Sequence, residues 1–193
     1  MVETSNTTDS LAKSDMPVYL VEYDDTWPSQ FSRERDHISQ ILSDCNVEIE
    51  HIGSTAIPGI AAKPIIDIMV LIQGIEESGE YIQRLKELEY HYYPYSEDFF
   101  PERRWFCKPN AAERTHHLHL VERETQFHRD HLLFRDYLRS NTGTAASYEL
   151  LKRQLAKQYT NDRDGYTDGK SDFVAAILEE ARLALIQPSV VSG

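Results

Sequence analysis

The sequence predicts an α+β fold: a mixed β-sheet with packed helices and a helical C-terminal half. Three observations predict it. Val47 to Ile52 and Pro64 to Ile72 carry strand patterning on either side of a small-residue turn. Thr115 to Glu122 repeats that patterning after a stretch rich in Tyr, Phe and Trp. From Thr125 onward the spacing turns helical and stays so. Strands collected early and helices collected late argue for segregated layers rather than a doubly wound parallel sheet.

Taken in order, residues 1–16 are rich in Ser, Thr, Asp and Asn and read as a disordered leader. Val18 to Tyr23 reads as a short strand, followed by the turn Asp24-Asp25-Thr26. A helix starts near Thr26, with Pro28 tolerated in its first turn and Phe31, Ile38, Ile41 and Leu42 as its apolar stripe. The strands Val47–Ile52 and Pro64–Ile72 follow, and helical spacing returns over Ile75–Leu88 through Ile82 and Leu85. Tyr90–Tyr95 and Phe99–Cys107 read as strands weakened by Pro94 and Pro101. After the strand Thr115–Glu122, three helices span Thr125–Ser140, Thr144–Tyr159 and Ser171–Ile186, with Thr125, Thr144 and Ser171 as N-caps. Residues 187–193 form a tail, so one domain over 17–186 is expected.

Composition bounds the function. The 193 residues carry 20 Lys+Arg against 32 Asp+Glu, a formal charge of -12. Nucleic acid is bound largely through cationic contacts that release counterions, so non-specific nucleic-acid binding is not expected. A local basic pocket is compatible with that net charge. No apolar run reaches the roughly 20 residues of a membrane span, and the N-terminus lacks a signal-peptide core, so no membrane partner and a cytoplasmic location are expected. Cys45 and Cys107 are far apart and read as two reduced thiols.

The stretch from Glu50 to Val70 carries the chemistry. A strand runs into Gly53-Ser54, a loop of small residues follows, and a second strand brings Asp67 into an apolar run. Glycine lets a backbone approach phosphate closely, and the hydroxyls of Ser54 and Thr55 are donors to its oxygens. Asp67, flanked by Ile66 and Ile68, needs a partner, and a divalent cation is one. The plainer alternative is a Gly-Ser turn with an Asp that caps something structural. Period-two alternation puts Asp67 and Met69 on one strand face, and His117 and His119 on one face of theirs. The two histidines are candidates for proton transfer or metal ligation, or simply face solvent. Arg135 and Arg139 lie four apart on one helix side and suit either substrate phosphates or interhelical ion pairs. Lys63, Lys152 and Lys170 are phosphate contacts or solvated surface, and Arg103-Arg104-Trp105 lines a pocket or forms an amphipathic edge strand.

Ile52-Gly53-Ser54 followed by Asp67 resembles the nucleotidyltransferase superfamily pattern of an apolar residue, Gly-Ser, a loop, then an acidic strand. More closely, the chain is similar to the GrpB family, a nucleotidyltransferase-fold group. The resemblance takes in Val21-Glu22-Tyr23-Asp24 with Trp27, His117-Leu118-His119-Leu120, Phe134 to Arg139, Tyr148 with Leu151-Lys152, and Tyr166 with Lys170 and Phe173.

It implies a nucleotidyltransferase-like sheet and a metal-dependent enzyme acting on a nucleoside triphosphate and an unidentified acceptor, or ligating or cyclising through an adenylated intermediate. Magnesium or manganese is the implied metal. Asp67, Glu50, His117 and His119 would form the catalytic and metal set. Gly53, Ser54, Thr55, Lys63, Arg135, Arg139, Lys152 and Lys170 would bind substrate. One departure stands out: Met69 occupies the place of the superfamily's second metal-binding carboxylate, and a thioether is a poor ligand for a hard cation. Glu50 or Glu22 substitutes, or one metal suffices, or no nucleotide is transferred. In that last case the chain is an inactive nucleotide- or partner-binding protein on the same fold.

Overall fold

The computed structural model describes residues 17–94, 101–110 and 113–186. The expected leader and tail, and the ends of two expected strands at Tyr95, Phe99 and Phe100, lie outside them. In chain order the elements are α1 Trp27–Ile41, β1 Glu48–Ile52, β2 Ile66–Ile72, α2 Ser78–Leu85, β3 His91–Tyr93, β4 Arg103–Lys108, β5 His116–Glu122, α3 Gln126–Ser140, α4 Thr142–Gln158, α5 Arg163–Asp168 and α6 Ser171–Ile186. The strands form one sheet in the order β1-β2-β5-β4-β3. Only β2 and β5 run parallel; every other pair is antiparallel.

β2 is apolar on both faces because helices cover both. Ile66, Ile68 and Val70 pack with Leu118, Leu120 and Phe106 beneath Trp27 and Ile38 of α1, Leu42 at its C-cap and Leu85 of α2. The opposite face sets Met69, Leu71, Ile52 and Val121 under Phe127 of α3. Burying one such Ile or Leu contributes about 1.5–3 kcal/mol, which pins the register: a one-residue slip would exchange the two faces. α3, α4 and α6 then pack on one another through Leu138, Ala145, Tyr148 and Phe173, leaving a cleft between their inner sides and the ends of β2 and β5.

Several expectations shift. Val18–Tyr23 makes only a two-way bridge between Val21 and Ala62, because Pro64 has no N–H with which to continue a ladder. In β4, Trp105 pairs with Tyr93 of β3, whereas the described β3 pairing stops there and does not reach Arg103 or Arg104. Thr125 caps α3 as expected, its hydroxyl accepting from the His128 N–H at 3.3 Å. α4 starts earlier than Thr144, with Asn141 in the cap position. The short α5 escapes any period search: it is six residues long with Gly165 inside it, held by Asp162 accepting from the Gly165 N–H at 2.9 Å. Among the described residues no helix is long and apolar enough to cross a membrane.

Candidate active site

The floor of the cleft is a row of facing residues. Ile52 of β1, Asp67 of β2 and His117 of β5 stand side by side in register, and Glu50, Met69 and His119 form the next row. β1 ends at Ile52 and turns sharply at Gly53, where φ is +70°. A Cβ there would lie 2.2 Å from Asp67 Oδ2, so the Asp67 carboxylate rests directly on the glycine backbone. Its other oxygen, Oδ1, lies 2.9 Å from His117 Nδ1. Burial opposes charge on Asp67, yet the His117 hydrogen bond and nearby Lys63 hold its carboxyl below the usual range. The carboxylate can only accept, so His117 Nδ1 carries the proton and Nε2 keeps a lone pair. That Nε2 is buried and has no hydrogen-bond partner.

The neighbouring histidines are fixed by the same logic. Arg103 Nη1 lies 3.2 Å from His119 Nδ1, and a guanidinium only donates, so the His119 proton is on Nε2. Burial and Arg103 push the His119 pKa well down. His131 on α3 donates Nδ1–H to the Phe127 carbonyl at 2.8 Å and stacks on the Phe127 ring. Burial also lowers the pKa of His117 and His131. The cleft therefore holds three neutral imidazoles: one presents an N–H, two present lone pairs.

The cleft encloses about 560 Å³ and is closed on its far side by Tyr148, Tyr166 and Lys170. Burial pushes the pKa of the Tyr148 phenol up to about 12, against a lowering effect of nearby Ser54. Lys63 and Lys170 lie over the Tyr166 ring, their ammonium nitrogens 5.1 and 4.6 Å from its centroid. Neither forms an ion pair with a described carboxylate. Burial and Lys170 push the Lys63 pKa down to about 8.

The model of the family described as "GrpB protein" matches residues 17–180. The chain belongs to the GrpB family. The glutamate-rich protein GrpB of Alkalihalophilus pseudofirmus is 38% identical over 84% of this chain and 95% of its own length. The UPF0157 protein YqkA of Bacillus subtilis is 35% identical over 86% of this chain, which spans 47% of that longer protein. The crystal structure of GrpB from Enterococcus faecalis superposes with a TM-score of 0.77 at 36% identity, covering 88% of this chain and all of that one. Cid1 bound to its short product ApU shares the fold at a TM-score of 0.51 and 13% identity, over 77% of this chain and 48% of Cid1.

In this GrpB chain the expected site residues divide. Gly53, Ser54, Thr55, Lys63, Asp67, His117, His119, Arg135 and Lys170 line the cleft; Glu50, Arg139 and Lys152 do not. Several are engaged elsewhere. Thr55 is 1% exposed; its hydroxyl donates to the Ile65 carbonyl at 3.2 Å and accepts from His51 Nε2 at 3.1 Å, tying the loop to β2. Arg135 donates to Glu50 at 2.5 Å, to the His51 carbonyl at 2.9 Å and to Asp136 at 2.7 Å. Arg139 donates to the Ala56 carbonyl at 2.8 Å. Lys152 is 1% exposed and donates to the Ala61 carbonyl at 2.5 Å. Met69 is wholly buried in the apolar cluster under the floor.

Among the lining residues with no assigned role from sequence are His131, Tyr148 and Tyr166. Phe127, His131, Phe134 and Leu138 recur at helical spacing, and extending the Phe134-Arg135 stripe back one turn would have placed His131. The two tyrosines stand on helices whose approach to the sheet no local pattern encodes.

Proposed function

We propose that this GrpB-family chain is a nucleotidyltransferase-like enzyme that acts on a nucleoside triphosphate, taken as its magnesium or manganese complex, and an unidentified acceptor. The observation carrying the reading is the division of charge in one cleft: an ionised Asp67 on the floor faces two ammonium groups, Lys63 and Lys170, that form no ion pair with a carboxylate among the described residues. Triphosphate oxygens suit the lysines, and a cation travelling with the triphosphate suits Asp67. The shared fold with Cid1, a poly(U) polymerase, supports the reading at the level of fold alone.

The donors do not fit a resident metal centre. Met69 offers no hard oxygen, Glu50 is held by Arg135, and no group of three or more His, Cys, Asp or Glu among the described residues is arranged to hold an ion. No step is therefore assigned to a protein-bound metal. The chain's own chemistry lies in the Asp67–His117 pair. Asp67 fixes the Nδ1–H tautomer, and the unpartnered Nε2 takes a proton from an acceptor hydroxyl or amine as that group attacks the α-phosphorus, whose bond to the bridging oxygen breaks and releases pyrophosphate. His119, kept neutral by burial and Arg103, donates Nε2–H to a phosphate oxygen.

Met69 favours a second reading, a protein that binds nucleotide without turnover. Calorimetry and pyrophosphate release with a panel of nucleoside triphosphates plus Mg²⁺ or Mn²⁺ separate the two. The enzyme reading expects binding that falls at least roughly tenfold in Asp67→Asn, and product release lost in His117→Ala while binding persists. Binding with no pyrophosphate released in any combination supports the second reading. An Asp67→Asn protein that binds and turns over like the parent sinks both.

A further inference from the structure

The two ends of the cleft differ in chemistry. At one end Lys63 and Lys170 flank Tyr166. They stand close to the Asp67–His117 row: Lys63 acts electrostatically on both of those residues, and Asp67 on Lys170. From Lys170 onward α6 runs along the cleft and lines it with Val174 and, about one turn on, Leu178. One turn further, Arg182 of α6 pairs with Asp130 of α3. α3 brings Phe127 and His131 to this second end. The rings continue outward from the sheet: His119 lies 5.8 Å from Phe127, and Phe127 stacks on His131 at 3.9 Å. Burial keeps both imidazoles neutral. Asp130 is engaged by Arg182 and by Gln126, which donates to it at 2.6 Å. The second end is therefore a slot of neutral rings and branched aliphatic side chains, a lining that suits an apolar planar group.

The direction of transfer assigns the slot. In a phosphoryl displacement the attacking group and the departing oxygen lie in line on opposite sides of phosphorus. With the β- and γ-phosphates on Lys63 and Lys170, the attacking group arrives from the other side of the Asp67–His117 row. The slot begins on that side, one row along β5 at His119. We propose that the slot seats the acceptor, and that the acceptor is a small molecule carrying a neutral aromatic ring beside its reactive hydroxyl or amine. Calling that molecule the acceptor rests on the transferase reading of the cleft. Its binding as an aromatic ring rests on the lining of the slot alone.

The test uses the full chain and follows tryptophol, a neutral ring bearing a hydroxyl, by calorimetry and by the ring-proton NMR signals of His119 and His131. Ribose serves as the polar control. Tryptophol is expected to bind and to shift both histidine signals, and ribose to do neither. Leu178→Gln should weaken tryptophol at least about fivefold, while Leu178→Met stays within about twofold of the parent. Magnesium–nucleotide affinity should change less than about twofold in both variants. Should Leu178→Gln fail to fold, the histidine shifts in the parent protein decide the matter. Tryptophol should still bind when magnesium–nucleotide is saturating; mutual exclusion would put the nucleoside in the slot and overturn the acceptor assignment. The slot itself is overturned by a parent that does not bind tryptophol, by binding that leaves both histidine signals unmoved, by equal affinity for ribose, or by unchanged affinity in folded Leu178→Gln. Tryptophol bound in the slot of a protein that binds no nucleotide would reject the transferase reading and leave the ring site standing.

Discussion

Gly53 joins backbone conformation to site chemistry in one residue. Its φ of +70° is a conformation that side-chain-bearing residues avoid, and a Cβ would also strike Asp67, 2.2 Å from Oδ2 and 2.9 Å from its Cβ. Gly53→Ala should therefore lose more than the ordinary cost of a strained backbone, which is about 1–3 kcal/mol. Gly59 provides the control, since its φ is +80° but nothing lies within 4 Å of its added Cβ. Urea unfolding should rank parent, Gly59→Ala and Gly53→Ala in descending stability. Equal losses in the two variants would mean that Asp67 does not rest on the turn. The same contact explains why glycine and aspartate, 14 positions apart in sequence, act as one unit.

At the scale of elements, Arg135 is the tether that holds α3 against β1. Its guanidinium is 9% exposed and spans Glu50, the His51 carbonyl and Asp136. Arg135→Met leaves a partly buried carboxylate and a carbonyl without their donor and should cost about 3 kcal/mol. Glu50→Gln should cost less, because that side chain is 27% exposed and Arg135 keeps its other two acceptors. A double-mutant cycle in denaturant checks the coupling. If Arg135 instead served substrate phosphate, Arg135→Met would lose nucleotide affinity with little change in stability.

For the molecule as a whole, Lys152 ties stability to pH. Burial, with Lys170 nearby, pushes its pKa from 10.5 down to about 7. The folded pKa lies below the unfolded one, so between those values the unfolded chain binds the extra proton and stability rises with pH. Below about pH 7 the lysine is charged in both states and its unfavourable contribution is constant. Relative to Lys152→Met, the parent should gain about 2 kcal/mol between about pH 7 and pH 9. Urea melts of both proteins across that range check the slope. Parallel pH profiles would show that the Lys152 ammonium is solvated when the chain is folded.

Sequence alone determined the strand–turn–strand around Gly53 and Asp67, the alternation that puts His117 and His119 on one face, the late helices and the family resemblance. Each of these is local: a period of two or 3.6, a cap, or a motif read along the chain. Tertiary structure decided which of the charged candidates reach the cleft. Lys63, Lys152 and Lys170 look alike as residues, yet Lys152 is sealed against Ala61 while the other two flank Tyr166 inside the cleft. Arg135 and Arg139, matched on one helix side, bind Glu50 and a backbone carbonyl respectively. The pairing of Asp67 with His117, and the slot of Phe127, His131 and Leu178, join residues 50 or more positions apart or on separate elements. Burial and partner choice arise only when helices dock on the sheet, and they set the charge and reach of every polar group in the site.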